Sequence, residues 1–87
     1  MLTVYEVIIA PGHDPDALLS EEVLRETQAQ VMTLDEARAL GFSRAQPDPK
    51  GRELRLIAVA SRDAQFVQRR LEANDAVQSF RAHQVAG

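Results

Sequence analysis

Eighty-seven residues suit one domain and leave no room for a second. Apolar residues make up 45% of the chain, too many for a disordered segment, and the absence of cysteine excludes disulfides and thiolate metal sites. The net charge of −3 is unevenly spread: residues 1–36 carry eight acids against Arg25 alone, whereas residues 37–87 carry nine bases against five acids. Such a division suits self-association of acidic on basic surface, a basic patch for an acidic partner, or simply two solvated faces of opposite sign. No apolar stretch approaches the ~20 residues that span a bilayer. Met1 to Ala10 lacks a basic flank and holds Glu6 within its apolar run, which argues against a signal peptide. The expectation is a single cytoplasmic domain, residues 1–87, with no membrane association.

Leu2 to Ala10 reads as a strand rich in β-branched residues, apolar on both alternating faces and therefore central. Pro11-Gly12 breaks it. Asp14-Pro15 reads as an N-cap and first-turn proline of a helix from about Pro15 to Arg25, with Leu18, Leu19 and Val23 at helical spacing. Residues 26–32 fit a helix, a loop or a short strand equally well. Thr33-Leu34-Asp35-Glu36 is a capping box that predicts a short helix, Leu34 to Leu40, stopped by Gly41. Phe42 to Gln46 and Arg52 to Ala60 flank a turn-rich Pro47-Asp48-Pro49-Lys50-Gly51 and read as a β-hairpin. Ser61 is placed as the N-cap of a helix from Arg62 to Ala73, with Ala64, Val67 and Leu71 inward and Asn74 as a left-handed stop. Ala76 to Val85 reads as the last strand.

Two split β-α-β units joined by a hairpin resemble the ferredoxin-like plan. The expected fold is thus α+β, a ferredoxin-like βαββαβ sandwich. It has a four-stranded antiparallel sheet with helices on one face, plus one extra short helix. The resemblance is one of fold alone, and this fold hosts many unrelated functions.

Alternation then divides the sheet. With Tyr5, Val7, Ile9, Leu54, Leu56, Ala58 and Phe80 assigned to the helices, the other face receives Val4, Glu6, Ile8, Arg55, Ile57, Val59, Ser79, Arg81 and His83. Val4, Ile8, Ile57 and Val59 would form an aliphatic patch that a partner should cover, with Glu6, Arg55 and Arg81 setting its orientation. Alternatively the long polar stems lie over the patch and keep it soluble.

Groups for catalysis or metal binding are few. His13, Asp14 and Asp16 follow the first strand at a helix start, where a ligand, metal or proton-transfer site could form. Capping explains Asp14, the helix dipole explains Asp16, and an acidic first turn repels phosphate. His83 lies at the far end of the neighbouring strand from His13, so the two imidazoles cannot share an ion. No serine sits in a Gly-x-Ser-x-Gly context, and there is no phosphate-binding glycine loop. Nucleic-acid binding is disfavoured because Tyr5 is the only aromatic on either central strand, Leu54, Leu56 and Ile57 standing where stacking rings would be needed.

The functional expectation is a non-catalytic interaction or regulatory module without a cofactor, partnered by itself or by another protein through the open sheet face. A small-molecule sensor domain of the ACT-like kind, using the Pro11-Gly12-His13 loop, is the alternative. A small dimeric enzyme of the same fold ranks behind both, with only His13 and Glu6 available for chemistry.

Overall fold

The computed structural model describes residues 1–41 and 46–85. Leu2–Ile9 form β1, and Thr3 to Val7 are buried from both sides, as their lack of a polar face requires. Gln30–Met32 form β2, Leu54–Ala60 form β3 and Val77–Val85 form β4. All pairings are antiparallel, in the order β2-β3-β1-β4. The described residues are therefore α+β, with one four-stranded antiparallel sheet and three α-helices among them, compatible with a ferredoxin-like arrangement. No helix among the described residues is long and apolar enough to cross a membrane.

The first helix starts later than its sequence suggests. Asp14 Oδ1 accepts the N–H of Asp16 in a local turn, and Ser20 is the real N-cap of α1, Glu21–Thr27, its Oγ accepting from Val23 N–H at 3.3 Å. An aspartate before proline closes a tight turn as readily as it caps a helix, so Asp14-Pro15 served the turn. Leu18 and Leu19 still reach the core, but from a loop. Gln28, with φ of 55°, ends α1 in the left-handed region and turns the chain directly into β2. The ambiguous stretch 26–32 thus holds the helix end and the second described strand. Phe42 to Ala45, expected as a hairpin strand, lie outside the described residues, and Gln46 has no regular structure.

Thr33 caps α2, Leu34–Ala39, with both bonds of the capping box present, and Gly41 follows with φ of 94°. Ser61 does not cap by its side chain. Ser61–Asp63 form a 3₁₀ turn leading into α3, Ala64–Glu72, while Ser61 Oγ bonds Thr3 Oγ1 at 2.9 Å. Asn74 is not left-handed either. Its amide instead donates to the Leu18 carbonyl and accepts from Ala76 N–H, both at 2.9 Å, tying the loop before α1 to the end of α3.

Tyr5 pairs with Ile57, Thr3 with Val59 and Val7 with Arg55 across β1 and β3, and paired residues share a face. Ile57 and Val59 therefore lie under α1 and α3, in one cluster with Tyr5, Val7, Ile9, Val23, Val67 and Leu71. This reverses the expected orientation of β3. Leu54, Leu56 and Ala58 belong to the opposite face, with Val4. The reason is that β3 is aliphatic on both sides, so only Arg55 marked a polar face. Arg55 shares the helix side with Val7, and its largely buried guanidinium is paired there with Asp16 at 3.2 Å and with the carboxylate of Glu53.

The second face is half covered. α2 touches β2 and β3, and Ala37 with Leu34 packs on Val4, Met32, Leu56 and Ala58 in a second small core. The extents are 30 × 27 × 17 Å.

Candidate functional site

Four of the seven expected interface residues are removed from any open surface. Val4 is on the predicted face but sealed beneath α2, Ile57 and Val59 are buried on the other side, and Arg55 is held in the Asp16–Glu53 cluster. Glu6, Ile8 and Arg81 remain together where β1 meets β4.

That half of the face follows from register. Glu6 pairs with Arg81, Ile8 with Ser79 and Val4 with His83, so Ile8, Ser79, Glu6, Arg81 and His83 all project to the side away from α1 and α3. A register shift between Ile8 and Ile9 absorbs Gln78 as an extra residue. Val77 and Phe80 consequently both join the helix-side core, where the Phe80 ring meets Tyr5 edge-on at 5.8 Å. Among the described residues, β4 pairs only with β1, and Ile8, Ser79 and the Glu6–Arg81 pair lie outside the second core that α2 covers, which takes in Val4 and Val85 at the other end of these strands.

At the centre of this half-face, Arg81 Nη2 donates to Glu6 Oε2 at 2.8 Å. The Glu6 side chain is 9% exposed and that of Arg81 is 83% exposed. A carboxylate this enclosed requires a partner, and Arg81 is its partner from the water side. A groove of about 430 Å3 runs from this pair past Ile8 and Leu54 to the turn after Gln46. Asp48 and Arg52 form its wall. Asp48 accepts from Arg52 Nε, Nη2 and backbone N–H at 2.9–3.0 Å, and this grip holds its carboxyl down at about 2. Leu54, Ser79, Asp48 and Arg52 were not among the expected site residues. The four-residue spacing of Asp48 and Arg52 was a signal for that pair, whereas the phase of β3 that exposes Leu54 is set only by the register with β1.

His13, Asp14 and Asp16 do not converge on one point. Asp14 is used by its own turn, Asp16 by Arg55, and His13 lies exposed on a shallow hollow with Ile9, Pro11 and Pro15. Among the described residues, no group of three His, Asp or Glu side chains is placed to hold a metal ion. Glu36, in the capping box, has its carboxyl pKa lowered by its bonds to the Thr33 backbone and hydroxyl, the bonds that cap α2.

No protein-family model and no curated protein matches this sequence.

Proposed function

We propose that this chain is a non-catalytic association module of ferredoxin-like plan, whose β1–β4 half-face packs on a second copy of itself. The strand order β2-β3-β1-β4, with α1 and α3 contributing to one core, supports that plan, α2 being inserted between β2 and β3. The observation that carries the reading is the stepped second face. α2 seals the second core, while β1 and β4 present Ile8, Ser79 and the Glu6–Arg81 pair with no helix over them among the described residues. Aliphatic groups ringed by polar ones on an unlayered sheet favour burial against another surface.

The overlap offered is only two strands wide, so association belongs in the weak, micromolar class. Light scattering over a concentration series tests it. Ser79 is exposed and touches no core, so Ser79→Trp blocks the face without disturbing the fold. A concentration-dependent dimer that Ser79→Trp abolishes supports the module. A wild-type chain that stays monomeric up to about 1 mM contradicts self-association.

A further inference from the structure

We propose that Glu6 and Arg81 act as a reciprocal charge clamp between two copies, each Arg81 reaching the partner's Glu6. This rests on the self-association reading above and specifies its geometry.

The two residues are direct cross-strand partners, so the half-face bears one negative and one positive group side by side, one strand apart. Consider a two-fold axis lying in the contact plane and running between β1 and β4. Rotation about it places β1 over the partner's β4 and β4 over the partner's β1. Each Arg81 then lies over the partner's Glu6, and each Ile8 over the partner's Ser79, large against small. This is the self-complementarity an isologous interface demands. The same axis leaves α2 outside the overlap, beyond the outer edge of the partner's β4. Since α2 sits mainly on β2 and β3, with Val4 at the edge of its cover, it becomes a shoulder that limits the contact to the Glu6–Ile8 and Ser79–Arg81 segments instead of an obstacle to it.

The groups themselves are prepared for a second bond. Glu6 is nearly enclosed, yet among the described residues it accepts one hydrogen bond, at Oε2. Arg81 uses one of its five N–H donors there and holds the rest out into solvent. A second guanidinium would satisfy Oε1, and two carboxylates with two guanidiniums would close into a neutral ring flanked by the two Ile8 side chains. Within one chain the same pair, with its cation in water, is screened and contributes little.

A mixing experiment reads the clamp directly. Glu6→Arg gives a face with two bases and Arg81→Glu a face with two acids. Each variant alone should self-associate at least roughly tenfold more weakly than wild type, and an equimolar mixture should recover a heterodimer, seen by native mass spectrometry and light scattering. If Glu6→Arg does not fold, as judged by circular dichroism, Glu6→Gln replaces it and should weaken association by a similar factor. Variants that dimerise as well as wild type, or a mixture that recovers nothing, overturn the clamp. If Ser79→Trp still abolishes the dimer in that case, the association face stands without it. A monomeric wild-type chain removes both readings.

Discussion

Tyr5 and Ile57 stand opposite each other in the β1–β3 ladder, both buried, and the Tyr5 hydroxyl passes beyond the aliphatic layer to donate to the Ala64 carbonyl at 2.8 Å. The central sheet is thereby fastened to the first turn of α3. Tyr5→Phe should remove this link while keeping the ring and its contact with Phe80. The expected cost is about 1 kcal/mol, or about 4–8 °C in the unfolding midpoint of a domain this size. Burial, together with the charge of Glu72, raises the Tyr5 pKa above its ordinary 10.0. The unfolded chain therefore ionises first as the pH rises through that value, and stability falls there. The alkaline fall should be shallower in Tyr5→Phe, and thermal unfolding between pH 8 and 11 on both proteins measures it. Equal slopes would contradict it.

Ile57 and Ile8 should respond to truncation in opposite ways. Ile57→Ala opens a cavity in the helix-side core and should cost about 2–5 kcal/mol with no effect on self-association beyond that loss. Ile8 is only partly buried on the half-face, so Ile8→Ala should cost less stability and weaken the dimer more. Urea unfolding and sedimentation on the two variants separate these effects. A reversed ranking would return Ile57 to the association face.

Thr33 fixes α2 over the second core. Thr33→Ala removes the bond accepted from Glu36 N–H and leaves Glu36 holding only the Thr33 backbone. About 1 kcal/mol of stability should be lost. Because Val4 and Leu56 lie beneath α2, their backbone amides should also exchange faster by local opening. Unchanged exchange at Val4 and Leu56 would mean that α2 is held by something other than its cap.

Asp48 predicts the acid limb of the stability curve. Its pKa is held at about 2 against an ordinary 3.8, so its contribution is complete above the higher value and is lost as the pH falls toward the lower one. Wild type should be the more stable protein at neutral pH, and Asp48→Asn should lose this disadvantage progressively below pH 4. Unfolding midpoints from pH 7 to pH 2 that fail to converge would show that the Asp48–Arg52 pair does not stabilise the turn.

Local chemistry was the legible part of this fold. The capping box at Thr33, the glycine stop at Gly41 and the inner stripe Val67–Leu71 state their structure in a few residues, because each satisfies backbone groups or one helix face on its own. The orientation of β3 was not legible. A strand apolar on both faces has no phase of its own, and the register that supplies one, Tyr5 opposite Ile57, is a long-range fact. The same holds for Arg55, whose charge is paired with Asp16 and Glu53 on the helix side and does not mark an open face. Of the proposed association face, the shared side of Glu6, Ile8 and Arg81 was readable, since Glu6 and Arg81 interrupt otherwise unambiguous strands. The cover provided by α2 was not, because a six-residue helix gives no sign in sequence of which strands it will sit on.

A β1–β4 half-face that meets its own copy doubles the molar mass in solution. Light scattering at rising concentration should carry the mass from that of the 9.6 kDa chain toward twice that value, with Ser79→Trp fixed at the single-chain mass under the same conditions. A mass that stays at one chain throughout, or a Ser79→Trp variant that dimerises like wild type, contradicts the account.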